Sequence, residues 1–313
     1  MPELPEVQTI VSDLNKVLPG LIIRDFWCDS PKIIKSPKNL DEFKKSIVGK
    51  KILELRRRGK NILIDFSNEF VLLIHQKMTG HLLFGKYKII SKKFHLVDGF
   101  QKDSKSKNYQ ENEFWEAKEA GPLRDDSYNQ HIHFVLNLSN GMNLALSDVR
   151  KFAKIILGKK EEVENLSELK SLGVEPIQKK FTFRKFQEII SEKSGKIKQV
   201  LMDQKNISGI GNIYADEILW EAGAHPARAA KSLSREELKK IYKAIVKVLK
   251  IAIKARGDSM SDYRRPSGEK GNYQNMQNAY RQTGKLCKKN DGGIIKRIKI
   301  GQRSTHFCPV HQV

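Results

Sequence analysis

Leu4, Val7, Val11, Leu14 and Leu18 recur at helical spacing and stop at Pro19-Gly20, which predicts an amphipathic first helix with a defined end. The pattern then shortens. Leu21–Phe26, Ile52–Leu55, Ile62–Phe66, Phe70–His75 and Leu82–Phe84 are short β-like runs, and Ile132–Leu138 and Met142–Leu146 flank a Ser139-Asn140-Gly141 turn as a hairpin would. Short strands separated by turn residues predict a β-sandwich or barrel-like domain. Residues 99–130 are polar and without period, and read as a surface insertion. From about residue 180 the period is helical: 197–204 and 212–222 predict two helices joined by Asn206-Ile207-Ser208-Gly209-Ile210-Gly211. Ser234 with Glu237 forms a capping box before the apolar face Leu238, Ile241, Ile245, Val248 and Ala252. Residues 257–279 read as loop, and Ile294–Ile300 as β. The expected class is α+β, in three parts: an N-terminal β-sandwich with a leading helix (1–158), a helical domain (159–260) and a small C-terminal β-hairpin module (261–313).

Composition narrows the partners. The 313 residues carry 58 Lys+Arg against 36 Asp+Glu, a formal net charge of +22, while 39% hydrophobic residues suffice for a core. So strong an excess favours a polyanionic partner, which leaves DNA, RNA and an anionic membrane surface open. No apolar run approaches a membrane span; Val71–Ile74 is typical. The acidic start Met1-Pro2-Glu3-Leu4-Pro5-Glu6 is the reverse of a secretory leader, and three cysteines make no disulfide framework, so a reducing cytoplasmic setting is expected. Cys28 follows an apolar stretch and reads as a buried, inert thiol.

The first residues admit two readings. Removal of Met1 before so small a residue would leave Pro2 as a terminal secondary amine. An α-amino group titrates near ~7.7–8.0, low enough for nucleophilic attack and iminium formation. Glu3 and Glu6 could then move protons. Alternatively, proline and glutamate simply start a helix well.

Several segments together carry a resemblance. Met1-Pro2-Glu3-Leu4-Pro5-Glu6-Val7, Arg57-Arg58-Gly59-Lys60-Asn61-Ile62-Leu63, His75-Gln76-Lys77-Met78-Thr79-Gly80, Asp148-Val149-Arg150-Lys151-Phe152, Gly209-Ile210-Gly211-Asn212-Ile213-Tyr214-Ala215 and Gly301-Gln302-Arg303-Ser304-Thr305-His306-Phe307-Cys308-Pro309 resemble, in order, segments of the formamidopyrimidine-DNA glycosylase family of base-excision repair. The resemblance implies a β-sandwich, a helix–two-turn–helix domain and a zinc-finger-like hairpin. It implies an enzyme, likewise, that excises oxidised purines such as 8-oxoguanine and formamidopyrimidines from duplex DNA and cuts at abasic sites by β,δ-elimination. By similarity Pro2 would attack C1′, Glu3 would act as general acid/base, Glu6 would support the site and Lys60 would contact a phosphate. Met78, Arg150 and Phe152 would fill the void left by an extruded base. His75, Lys198, Asn212 and Arg303 would contact DNA, with Gly209-x-Gly211 and Asn212 forming a phosphate cradle at a helix N-terminus.

The finger departs from the family's two Cys-x-x-Cys knuckles. Cys287 and Cys308 remain, and His311 takes the fourth position. For the second ligand Asn290 has the usual spacing but is a poor zinc ligand, while Asp291 leaves the sixteen residues 292–307 before Cys308. Cys287, Asp291, Cys308 and His311 would make an allowed zinc site; a zinc-free hairpin held by packing is the alternative. Ala153 stands where glycine is usual, and the lesion-recognition stretch, about 258–280, is matched only through Gly271-Asn272-Tyr273-Gln274 and Tyr280. A monomer acting on damaged duplex DNA in the cytoplasm, at the nucleoid, is expected. Competing readings are an endonuclease VIII-type enzyme for oxidised pyrimidines and a non-catalytic DNA- or RNA-binding protein.

Overall fold

The computed structural model describes residues 1–95 and 109–313. In chain order the elements begin with α1 (Leu4–Leu14), β1 (Ile23–Cys28), β2 (Ile34–Ser36), α2 (Leu40–Ile47), β3 (Ile52–Arg58), β4 (Asn61–Phe66), β5 (Phe70–His75) and β6 (His81–Gly85). There follow β7 (Tyr87–His95), β8 (Tyr109–Ala117), α3 (Pro122–Asp125), β9 (Ile132–Leu138), β10 (Asn143–Ser147) and β11 (Lys154–Lys159). The C-terminal half contains α4 (Lys160–Glu164), α5 (Ser167–Lys170), α6 (Phe183–Ser191), α7 (Ile197–Met202), α8 (Asn212–Ala222), α9 (Arg235–Lys254), β12 (Lys296–Ile300) and β13 (Arg303–Phe307).

Two sheets form the N-terminal sandwich, ordered β1-β9-β10-β6 and β2-β11-β5-β4-β3. All pairings are antiparallel except β2 with β11. The two-residue period of a strand sorts the side chains of β4. Ile62, Ile64 and Phe66 enter the main core with Phe26, Phe134, Leu72 and the α1 residues Val7, Ile10 and Leu14. Leu63 faces the other way, onto Val163 of α4 and Leu169 of α5. Burial on both faces explains why Ile62, Leu63 and Ile64 of β4 are apolar without alternation.

The helical core joins α8 and α9 through Ile218, Leu219, Leu238, Ile241, Ile245 and Val248. The capping box forms: Ser234 Oγ accepts from Glu237 N at 3.2 Å and Glu237 Oε2 from Ser234 N at 2.7 Å. Leu4 belongs to this core although the rest of α1 packs in the sandwich. The first helix therefore spans the seam between the two domains. The seam is also closed by Glu175, whose carboxylate accepts from Arg57 (2.6 Å), Arg58 (3.3 Å) and Gly59 N (2.6 Å). Burial works against its charge, yet Arg57 and the neighbouring donors hold that carboxyl below its usual range.

Two expectations need correction, and one helix lay outside them. The insertion is not a plain loop in its described part: β8 pairs with β7 from Tyr87↔Ala117 to His95↔Tyr109, and α3 follows. Residues 96–108 lie outside the described residues. The short helix α2 was not foreseen; Asn39 caps it, accepting from Asp41 N and Glu42 N. Cys28 is only partly buried, and burial pushes its thiol up to about 11.

Candidate active site

A cavity of about 700 Å³ opens at the seam between sandwich, helical domain and hairpin. Met1, Glu3, Lys60, Met78, Arg150, Asn212 and Arg303 all line it, so side chains from six separated segments converge. Pro2 is buried directly behind Met1, which is 41% exposed. While Met1 is attached the Pro2 nitrogen is an amide; its removal would put a secondary amine at this wall.

The position of Glu3 follows from α8. The Gly209-Ile210-Gly211 turn brings the unsatisfied N–H groups of the helix N-terminus against the start of α1. The Glu3 carboxylate accepts from Gly211 N at 2.8 Å, Ile213 N at 3.0 Å and Tyr214 N at 3.4 Å. A Cβ on Gly211 would lie 2.4 Å from the Glu3 carboxyl, so only glycine permits this approach. This corrects the phosphate-cradle expectation: the helix N-terminus is already filled by the chain's own carboxylate. Asn212 is the first helical residue rather than the cap, which is Gly211, and its side chain is at the cavity wall.

Glu6 lies one turn below. Its oxygens accept from Glu3 N (2.7 Å), Tyr214 Oη (2.5 Å) and Asp258 N (2.8 Å). Burial, and next the charge of Glu3, raise its carboxyl to about 7. Lys60, 7% exposed, is pushed down by burial although Glu3 and Glu6 favour its charge.

Two loop tips flank the mouth. Asp148, fully buried, accepts from Phe152 N (2.7 Å), Ala153 N (2.8 Å) and the Thr79 hydroxyl. Lys77 and Lys151 take left-handed backbone conformations, φ 55° and 53°, and turn the tips outward. Met78 (38% exposed) and Phe152 (50%) thus stand on rigid bases and are not core residues. The Arg150 guanidinium stacks 4.5 Å from the Phe152 ring. Phe152 itself is outside the cavity lining.

Two predicted DNA contacts are not part of the cavity lining. Lys198 is fully buried, donates to Ser304 O (2.9 Å) and Thr305 Oγ1 (2.8 Å), and pairs with Asp216 at 2.7 Å. Its donors are spent inside the protein, so it ties the β13 hairpin to the helical domain instead of presenting charge to DNA. His75 ends β5 with Nδ1 accepting from Lys77 N at 3.0 Å, and burial pushes it down to about 3, so it is neutral.

Sequence reading missed Asp148 as the brace of both tips, Asp258 at the cavity wall, and Glu217. The buried Glu217 carboxylate accepts from Asn278 N, Ala279 N and Tyr280 N at 2.8–3.1 Å and fixes the segment carrying Tyr280 and Arg281 into the cavity. Asp148 lay within a quoted motif; the other two had no local signal.

In the finger, Cys287, Asp291, Cys308 and His311 place their ligand atoms within 4.8 Å of one another, so the group could hold a metal ion. The surroundings suit one. His311 Nε2 bonds Trp220 O at 3.0 Å, which turns Nδ1 toward the cluster, and Trp220 Nε1 donates to Cys287 Sγ at 3.3 Å. Asp291 Oδ2 lies 2.6 Å from His311 Nδ1 and 3.3 Å from Cys308 Sγ. Asn290 has a left-handed backbone (φ 56°), and the next residue, Asp291, brings its carboxylate into the group. Among the described residues no helix is long and apolar enough to cross a membrane.

Comparison with known proteins gives consistent matches. Residues 1–155 match the family model for the formamidopyrimidine-DNA glycosylase N-terminal domain, and 172–264 that for its H2TH domain. A protein of Pelotomaculum thermopropionicum named formamidopyrimidine-DNA glycosylase is 36% identical over 312 residues, covering 100% of this chain and 99% of its own. One from Bacillus cereus with the same name is 34% identical over the same span. The complex between the Lactococcus lactis Fpg and an abasic site containing DNA superposes with TM-score 0.78 at 29% identity, covering 99% of each chain. A complex of the same organism's protein with an oxidised pyrimidine containing DNA gives 0.78 at 28%, again over 99% of each chain.

Proposed function

Since the chain belongs to the formamidopyrimidine-DNA glycosylase family, we propose that it is a bifunctional DNA glycosylase and abasic-site lyase that excises oxidised purines from duplex DNA. Met1 is removed, and the Pro2 nitrogen attacks C1′ of the damaged nucleotide held in the cavity. The nitrogen–C1′ bond forms as the base departs, and the opened sugar is held as an iminium. That cation acidifies the C2′ protons, and β- and then δ-elimination release the flanking phosphates. Glu3, anchored on α8, supplies the carboxylate beside the opening sugar. Lys60 and Arg303 meet phosphates, Asn212 lies beside them, and Met78, Arg150 and Phe152 occupy the space the extruded nucleotide leaves.

The observation that carries this reading is the amino terminus itself. It lies at the wall of a cavity between three modules, with a carboxylate locked beside it by three backbone N–H groups. A helix start serving only structure has no need of such a cavity. The metal of the finger is proposed to be zinc, held by Cys287, Asp291, Cys308 and His311 to stiffen the hairpin that carries Arg303. The protein is placed in the cytoplasm, at the nucleoid, acting as a monomer.

The test is borohydride trapping. Purified protein, its N-terminal mass confirming loss of Met1, is incubated with 8-oxoguanine, abasic and thymine-glycol duplexes. A covalent adduct is expected, strongest on the first two. Pro2→Gly should lose trapping while duplex affinity survives. No adduct on any duplex would overturn the enzyme reading, and preference for thymine glycol would move the substrate to oxidised pyrimidines.

A further inference from the structure

Asp258 has no role in the mechanism above, yet it lies at the cavity wall. Its place is built by its neighbours. Gly257 adopts φ +83°, and a Cβ there would sit 2.9 Å from the Glu6 side chain, so glycine lets the chain pass close enough for Asp258 N to bond Glu6. The corner is closed by Tyr273 N to Gly257 O (3.0 Å) and Gly271 N to Ser259 Oγ (2.8 Å). The Asp258 carboxylate is fixed by Gln277 Nε2 at 2.6 Å and, more loosely, by Met260 N at 3.2 Å. Asp258 is 5% exposed and Gln277 1%. A carboxylate has roughly four acceptor sites, so acceptor capacity is left over. Met1 and Asp258 line the same cavity, and Asp258 N bonds the Glu6 carboxylate that also accepts from Glu3 N, so the corner packs against the first residues of the chain. Burial dominates the environment of the carboxylate, and the Met1 amino terminus adds a smaller favourable charge.

We propose that Asp258 is the counter-ion of the amino terminus: its carboxylate orients the Pro2 amine and takes the amine proton as the nitrogen–C1′ bond forms. The nitrogen lone pair makes the new bond. The C1′–base bond breaks with its electron pair leaving on the base, the N–H proton passes to an Asp258 oxygen, and the departing base takes a proton from water. Glu3 is less suited to that proton, because its oxygens already accept three backbone N–H bonds. Burial raises the Asp258 carboxyl, which makes it a better proton acceptor once charged. The other charged groups facing this region are Glu3 and Glu6 of α1, Lys60 of the β3–β4 turn, Arg150 after β10, Asp262 and Arg281 of the 258–281 segment, and Arg303 of the hairpin.

The inference rests on the Pro2 reading, and two measurements keep them apart. In the Met1-free protein without DNA, the pH dependence of cyanate carbamylation at the N-terminus reports protonation of the amine. An opposite charge within hydrogen-bonding reach raises an amine by about one unit or more. Asp258→Asn should therefore move the midpoint down by about that much, and Asp258→Glu should restore most of it. With an abasic duplex, trapping by Asp258→Asn should slow at least about tenfold, with affinity for a stable abasic analogue kept within about twofold. If Asp258→Asn does not fold, Asp258→Ala serves as the neutral variant. An unmoved carbamylation midpoint, or trapping as fast as wild type, overturns the proposal. Absence of trapping by the wild-type protein overturns the glycosylase reading instead, and leaves the carbamylation result to decide the ion pair.

Discussion

Lys198→Met separates a phosphate-contacting lysine from an internal tie. Methionine keeps the apolar stem and removes only the ammonium. Left behind are the fully buried Asp216 carboxylate and the Ser304 carbonyl, both deprived of their cation. Breaking one half of a buried pair costs about 3–5 kcal/mol. Asp216 still accepts from His306 N at 2.9 Å and faces its ring nitrogen at 2.9 Å, which puts the cost near the lower end, about 3 kcal/mol. That is roughly a hundredfold in an opening equilibrium. The loss falls on the hairpin, so hydrogen exchange of amides 303–307 should quicken by about two orders of magnitude while the sandwich strands are unchanged. Duplex binding should weaken through the loosened Arg303, yet keep its salt slope, because no phosphate contact is lost. Loss of one such contact would flatten the slope by about 0.9. A slope reduced by that amount, with exchange at 303–307 as in wild type, would refute the internal-tie assignment.

Other outcomes follow from the same geometry. Asp291→Ala should abolish stoichiometric zinc, measured per chain on the purified protein, whereas Asn290→Ala should retain it; unchanged zinc in the first variant would remove Asp291 from the ligand set. Glu6 is raised by burial to about 7, so the folded state binds more protons than the unfolded chain between about pH 4.5 and 7. Its contribution to stability is therefore lost as pH rises through that window, by about 3 kcal/mol in all. Glu6→Gln should flatten that part of the denaturation-versus-pH curve, and an unchanged curve would contradict the assignment. Glu217→Ala orphans the N–H groups of Asn278, Ala279 and Tyr280 at about 1–3 kcal/mol each before water enters. Excision of an oxidised base should fall much more than trapping on a ready-made abasic site; equal losses would argue that Glu217 matters only to global folding.

The elements legible in the sequence were those whose stability is local. Helix α1 and the face of α9 follow from 3.6-residue periodicity, and the Ser234–Glu237 box marks the start of α9 within three residues of chain. The β7–β8 hairpin was missed because β8, Tyr109–Ala117, is rich in polar residues and acquires its strand character only by pairing with β7, beyond residues 96–108. Helix α2 escaped because two buried residues, Phe43 and Ile47, are too few to show a period. Site residues divide in the same way. Pro2, Glu3 and Lys60 sit in contiguous motifs. Lys198 lies outside those motifs, in the helix before Gly209, and was assigned by similarity alone; its partner Asp216 is a buried carboxylate on the next helix, and sequence spacing says nothing about whether a lysine faces inward. Asp258 and Glu217 act across long separations, through Gln277 and residues 278–280, and carry no local mark at all. The finger is intermediate: spacing narrowed the second ligand to two neighbours, and the fold brings the Asp291 carboxylate beside Cys287, Cys308 and His311.

The same helix terminus explains why the site needs both large domains. The positive end of α8 is spent on Glu3, a residue of the sandwich's own leading helix, so the carboxylate beside the nucleophile is oriented by a domain to which that residue does not belong in sequence. Burial under the same seam, and after it the charge of Glu3, raises the Glu6 carboxyl. Both effects vanish if the seam opens. Leu4 in the helical core, the Arg57–Glu175 pair buried on both sides, and the ion pair of Arg256 with Asp13 of α1 hold it shut. The cavity is thus a property of docking rather than of either domain. An isolated sandwich would present Pro2, Glu3 and Lys60 in sequence but would lose the α8 N–H groups that fix Glu3, the Asp258 corner beside the amine and the Arg303 wall, and with them the geometry on which attack at C1′ depends.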